Sequence, residues 1–178
     1  MSSTAIPAAA RLNGKIAIVT GSSAGIGRAI ALAYAREGAK VVCSDVHSSA
    51  KNDIEAESPI ATHDAIAEEG GCSVFVKADV GEAQEVEKLV EEAVTKFGRL
   101  DILVNNAGIA PEINQTKASD IGQPIHLTPI SSFDETMRVN ARGVFLGCKY
   151  AIAQMMKQDL LSTGDRGWII NIASVAGL

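Results

Sequence analysis

Groups able to bind or react recur at five places in this chain, each directly after a short apolar run. Gly21-Ser-Ser-Ala-Gly-Ile-Gly27 follows Lys15–Thr20, and Asp45 follows Lys40–Ser44. Asp79-Val80 comes just after Cys72–Lys77, Asn105-Asn-Ala-Gly108 after Leu100–Val104, and Ser174 after Trp168–Ala173. The first segment has the chemistry of an anion seat. Its glycines, Gly21, Gly25 and Gly27, let the backbone approach a ligand without a Cβ in the way. Amide N–H groups and the positive end of the following helix then attract a diphosphate, with Ser23 and Ile26 inside the same turn. Asp45 lies 20 residues after Gly25, the spacing at which an acid meets the ribose hydroxyls of a dinucleotide. A carboxylate there accepts hydrogen bonds from a diol and repels a 2′-phosphate, which favours NAD over NADP. A solvated turn aspartate is the other reading, and the nearby Arg28 and Lys40 leave a phosphate partner open.

Those groups share an edge only if the elements between them alternate. The apolar runs are short and nearly continuous, as strands buried on both faces of a parallel sheet are. Helical stripes fill the gaps. Ile26, Ala29, Ile30, Ala33 and Tyr34 form one, ended by Gly38. Ser58 and Pro59 read as N-cap and first residue of a second helix that ends at Gly70. Val86, Leu89, Val90, Ala93, Val94 and Phe97 form a third, closed by Gly98. Ser132 and Glu135 read as a capping box opening a long fourth helix to about Gln158, with a core stripe of Phe133, Met137, Ala141, Val144, Cys148, Ala151, Ile152 and Met155. Asn140 falls within that stripe. A buried amide needs a partner, so Asn140 either bonds backbone structurally or belongs to a polar network in the site. The expected fold is α/β, a doubly wound Rossmann-type parallel sheet of about five strands in the order 3-2-1-4-5, with ligands bound outside the carboxyl ends of the strands. Ser48–Glu57 and the proline-containing Ala110–Ile130 fall outside this alternation.

Bulk properties narrow the function classes. A length of 178 residues suits one domain, and 47% hydrophobic residues supply a core. A mean hydropathy of +0.15 argues against disorder. A net charge of −5 without a basic block excludes nucleic acid as a partner. Cys43, Cys72 and Cys148 are far apart, and no spacing with His47, His63 or His126 suggests a metal site. Free thiols fit a reducing compartment. No apolar stretch is long enough to span a membrane, and Met1–Ala10 lacks the pattern of a signal peptide. The expectation is a cytoplasmic protein with a flexible arm at 1–11 and a dinucleotide-binding domain over 12–178.

With these motifs in order, the chain resembles the short-chain dehydrogenase/reductase family over Leu12 to Leu178. Thr20-Gly-Ser-Ser-Ala-Gly-Ile-Gly27 matches its Thr-Gly-x-x-x-Gly-x-Gly fingerprint, and Asn105-Asn-Ala-Gly108 its motif after the fourth strand. Asp79-Val80 matches its adenine-contacting pair, Asn140 the asparagine of its catalytic tetrad and Ser174 its catalytic serine. The resemblance implies hydride transfer between NAD or NADP and an alcohol or carbonyl substrate. Ser174 would steady the substrate oxygen and Asn140 would support a proton relay. Gly21, Ser23, Gly25, Ile26, Gly27, Asp45, Asp79, Val80, Asn105, Asn106, Ala107 and Gly108 would surround the cofactor. A homo-oligomer is implied for the full-length form.

The family's general acid/base is a tyrosine followed four residues later by a lysine. Here Tyr34 is followed at that distance by Gly38 and Tyr150 by Gln154, and Lys149 has the wrong spacing. Neither tyrosine fits the role. The expectation is therefore a truncated form that lacks the family's C-terminal strands. A non-catalytic dinucleotide-binding module, or a remnant that pairs with a longer relative, is the alternative.

Overall fold

The computed structural model describes residues 10–49, 60–110 and 124–174. Ser58 and Pro59, most of the 1–11 arm and most of 110–130 lie outside these residues. The described arm residue Arg11 pairs with Glu37 at 2.8 Å.

Five strands alternate with helices: β1 (Ile16–Thr20), α1 (Gly25–Arg36), β2 (Lys40–Asp45), α2 (Thr62–Glu68), β3 (Cys72–Lys77), α3 (Ala83–Phe97), β4 (Ile102–Asn105) and, after α4 (Ile130–Thr136) and α5 (Gly143–Met155), β5 (Trp168–Asn171). The sheet order is β3-β2-β1-β4-β5, and every pairing is parallel. The expected topology is thus the one found. Parallel neighbours need crossovers, and the helices supply them on both faces.

The two-residue period of β1 divides the core. Ile18 joins Val42, Leu89, Val90, Leu103, Ala151 and Met155 beneath α3 and α5. Ala17 and Val19 join Ala31, Val41, Ile66 and Val104 beneath α1 and α2. The stripe of α3 is as the sequence predicts, with Val86, Leu89, Val90 and Ala93 buried and Gly98 closing the helix at φ 92°. Strand ends move by a residue or two: β2 takes in Asp45, β4 runs Ile102–Asn105, and β5 stops at Asn171.

Three helical expectations need correction. In α1 the buried residues are Gly27 and Ala31, and Ile26 is 65% exposed. The described helix α2 begins at Thr62 with Ala61 as N-cap. The long fourth helix is three segments, because α4 passes through a π-helical stretch, Met137–Arg142, into α5. Pro129, not Ser132, is the N-cap, so the capping box does not form. The π-helical stretch spaces hydrogen bonds five residues apart and shifts the phase of α5 relative to α4. The face that packs is Val139, Leu146, Ala151 and Met155, whereas Phe133 (60%) and Ile152 (50%) are exposed. An extrapolation at 3.6 residues per turn from Phe133 misses that shift, and α5 is apolar nearly all round, which leaves periodicity little to detect.

Candidate active site at the carboxyl edge of the sheet

The exits of β1 and β4 are joined through one hydroxyl. Thr20 Oγ1 donates to the Val104 carbonyl at 3.2 Å and accepts from the Asn106 and Ala107 N–H groups at 3.0 and 3.1 Å. Asn106 Nδ2 returns to the carbonyls of Thr20 and Gly21 at 2.9 and 3.2 Å. Gly21 sits at φ 65°, and a Cβ there would lie 2.8 Å from Ala107 Cα. A Cβ on Gly27 would run into the Gly21 carbonyl. Both positions therefore demand glycine because backbone packs on backbone there, a reason separate from the ligand approach expected from the sequence.

The glycine turn is also joined to β2. Ser22 N and Oγ bond the Ser44 carbonyl, and Ser23 N donates to Asp45 Oδ2 at 3.1 Å. Ser23 Oγ donates to the His47 carbonyl. Thr62, the first residue of α2, donates to the Ser22 carbonyl and accepts from Arg28. α1 opens at Gly25 with Ala24 as N-cap, no capping side chain and no acid in its first turn. That leaves the positive end of the helix turned toward the turn itself, which suits an anion.

A cavity of about 590 Å³ lies along this edge. Gly21, Gly25, Ile26 and Gly27 form one wall, and Asn106, Ala107 and Gly108 another. Asp45, Asp79 and Val80 line it as well. Ten of the twelve residues assigned to the cofactor thus meet at one cavity; Ser23 and Asn105 do not line it. Ser23 acts behind the turn, through Asp45 and the His47 carbonyl. Asn105 is 4% exposed, and its amide donates to Asn171 Oδ1 at 2.9 Å, pairing β4 with β5. A Cβ on Gly147 would collide with the Asn105 side chain, so α5 packs closely on this pair.

Asn140 is not in the core. It is exposed, on the π-helical stretch, and its amide makes a two-point bond with Ile109: Oδ1 accepts from the Ile109 N–H and Nδ2 donates to the Ile109 carbonyl, both at 2.8 Å. This ties the stretch to the segment after Gly108. The side chain of Asn140 thus bonds backbone, beside Gly108 at the cavity, and π-helical stretches are frequent at functional sites. Ser174 is exposed beyond the end of β5 and does not line the cavity. Burial pushes the Tyr34 phenol up, opposite to what a tyrosinate base requires.

The sequence reading misses Arg138. Its guanidinium lines the cavity and holds Asp79, Glu82 and Glu135. Burial pushes the Asp79 carboxyl up, but the bonds from Arg138 and Gly81 outweigh it and the net shift is downward. The bond to Arg138 likewise lowers Glu135, and those to Glu135 and Asp79 raise Arg138. The available signal is the Glu135/Arg138 spacing of three on a helix, which reads as an ordinary surface pair.

A second cavity, about 740 Å³, lies against Trp168, Ile170, Ile102 and Tyr34 and contains none of the assigned residues. Among the described residues no three metal-ligating side chains cluster, and no helix is long and apolar enough to cross a membrane.

Residues 15–178 match the family profile described as short chain dehydrogenase. The chain is 41% identical over 165 residues to an uncharacterized oxidoreductase of Thermotoga maritima, covering 93% of this chain and 55% of that protein. It is 36% identical over 164 residues to a 2-(R)-hydroxypropyl-CoM dehydrogenase of Xanthobacter autotrophicus, covering 92% and 58%. A crystal structure of a short-chain type dehydrogenase/reductase from Mycobacterium marinum superimposes with a TM-score of 0.76 at 32% identity, covering 94% of this chain and 59% of that one. The chain thus spans 55–59% of the length of these relatives.

Proposed function

This chain belongs to the short-chain dehydrogenase family, and from that premise we propose that its cavity holds NAD for hydride transfer between the nicotinamide and an alcohol or carbonyl substrate. The observation that carries the proposal is the meeting of the glycine turn, Asp45, Asp79-Val80 and Asn106–Gly108 at one cavity on the carboxyl edge of the sheet. The residues fit the group. Gly21, Gly25 and Gly27 present backbone without side chains to the cavity, and the start of α1, which has no capping side chain, supplies attraction for a diphosphate. When bound, the nicotinamide supplies the hydride acceptor or donor.

The choice of NAD over NADP rests on Asp45. Its two oxygens accept from Ser23 N and Val46 N, and each keeps a lone pair for a ribose hydroxyl. The cations that could favour a 2′-phosphate are engaged elsewhere. Arg28 donates to Thr62 at 2.9 Å, and Lys40 lies over the Phe97 ring. Asn140 keeps the wall at Ile109 in place through its paired bonds. Ser174 would steady the substrate oxygen, a role that rests on the family motif. Within residues 1–178 no tyrosine has a lysine four positions on, so turnover by these residues alone would forgo general acid/base help worth about 10²–10⁴-fold.

The exposed apolar residues Phe145 and Ile152 on α5 and Met156 at its C-cap support a homo-oligomer of the full-length form, and three free cysteines support a cytoplasmic setting. The test is a fluorescence titration with NADH and NADPH. The wild-type chain should bind NADH more tightly by at least about tenfold, and Asp45→Ser should erase that preference. Tighter binding of NADPH would overturn the assignment of NAD, and absence of binding by either would overturn the dinucleotide reading.

A further inference from the structure

Arg138 stands two residues before Asn140 and belongs to no motif that links it to the cofactor. Its guanidinium is fully engaged by carboxylates. Nη1 and Nη2 donate to the two oxygens of Asp79 at 3.0 and 2.9 Å, a bidentate fork. Nε and Nη2 donate to Glu135 at 2.8 and 2.9 Å, and Nη1 reaches Glu82 at 3.3 Å. The fork passes over Gly81, where a Cβ would collide with the guanidinium, and Gly81 N donates to Asp79 Oδ1 at 2.8 Å. Asp79 N itself donates to Glu85. The Asp79 carboxylate is therefore held from the side of Arg138 and from the side of its own turn, and its orientation is fixed.

Asp79, Val80, Glu135 and Arg138 all line the same cavity. An ion pair placed only to anchor α4 would do so from any surface. This one lies where the purine end of a dinucleotide is assigned, and α4 itself buries no residue. A carboxylate only accepts hydrogen bonds. Held in place, it can accept from a 6-amino group, whereas a 6-oxo group would set one acceptor against another. Gly81 N and Arg138 Nη1 fill Oδ1, so the lone pair for that purpose is on Oδ2, which accepts from Arg138 Nη2. The fork also sets the plane of the carboxylate, which a lysine point charge does not do.

We propose that Arg138 is a positioning residue for the purine end of the cofactor, fixing Asp79 as acceptor for the adenine amino group so that the cavity selects a 6-amino over a 6-oxo purine. The assignment rests on the dinucleotide reading above. Arg138 acts through Asp79, so its removal alters base selectivity rather than affinity in general.

The test is equilibrium titration of the whole chain with NADH and with reduced nicotinamide hypoxanthine dinucleotide, in which the 6-amino group is replaced by oxygen. Wild type should favour NADH by about tenfold or more, the scale of one charge-assisted hydrogen bond. Arg138→Gln should weaken NADH by about that factor, leave the hypoxanthine analogue within about twofold, and bring the ratio near one. Equal loss for both dinucleotides would mark Arg138 as a scaffold residue only and overturn the proposal, as would an unchanged ratio. If Arg138→Gln fails to fold, Arg138→Lys decides: it keeps the charge and loses the fork, so the ratio should fall by about threefold, and an unchanged ratio overturns the proposal. Binding of neither dinucleotide by the unmutated chain would instead overturn the dinucleotide reading, and this assignment with it.

Discussion

Thr20→Val removes one oxygen and changes almost nothing in shape. Thr20 is 3% exposed, and its hydroxyl is saturated, donating to Val104 and accepting from Asn106 N and Ala107 N. Valine leaves no cavity, and it favours a strand. The cost therefore comes from hydrogen bonding alone. Two backbone N–H groups lose their acceptor, and an orphaned buried donor costs about 1–3 kcal/mol. Asn106 and Ala107 are only partly buried, which places each near the lower end, for a sum of about 2–3 kcal/mol. The bonds from Asn106 Nδ2 to Thr20 and Gly21 survive, so the two strand exits stay adjacent. For a chain of this size 1 kcal/mol moves Tm by about 2–4 °C, so the expected drop is about 5–10 °C. Urea unfolding should show a lower midpoint at unchanged slope. A loss below about 0.5 kcal/mol would refute the claim that this hydroxyl joins the glycine turn to the β4 exit.

Two further outcomes concern the titrating groups. Asp79 has its folded-state pKa lowered, through its bonds to Arg138 and Gly81 outweighing burial. Its contribution to stability is thus full above the unfolded value near 3.8 and is lost as pH falls through the lower folded value. Acid unfolding below about pH 4 should be blunted in Arg138→Gln, as followed by circular dichroism; identical acid profiles would contradict that linkage. Burial pushes the Cys43 thiol up to about 12, whereas Cys72 is exposed. At pH 8 iodoacetamide should label Cys72 and spare Cys43 in the native chain, as read by peptide mass spectrometry. Equal labelling would show that the β2 core opens readily.

What the sequence discloses depends on how far apart the partners lie. Helix α3 is legible because its Val86/Leu89/Val90/Ala93 stripe faces one core and its opposite face is charged. The glycine turn is legible because three glycines between an apolar run and a helical one have few other uses. The phase of α5 is not legible, since the π-helical stretch Met137–Arg142 interrupts the period before it. Periodicity puts Asn140 in the core for the same reason, and its partner Ile109 lies 31 residues away. Arg138 is hidden more deeply. Its decisive partner, Asp79, is 59 residues distant, in the turn after β3, and joins it only once that turn and the π-helical stretch meet. Asn105 stands in a cofactor motif, yet its side chain pairs with Asn171 across two strands, which only the sheet register reveals.

The central claim is that a dinucleotide occupies the cavity at the carboxyl edge of the sheet. An amide-resolved NMR titration of the chain with NAD addresses it directly. Saturable shifts should appear at Gly21, Gly25, Asp45, Val80, Ala107 and Gly108, which line that cavity, with Trp168 and Ile170 in the larger apolar cavity unmoved. Shifts at Trp168 and Ile170 without any at the glycine turn, or no saturable shift at all, would contradict the account.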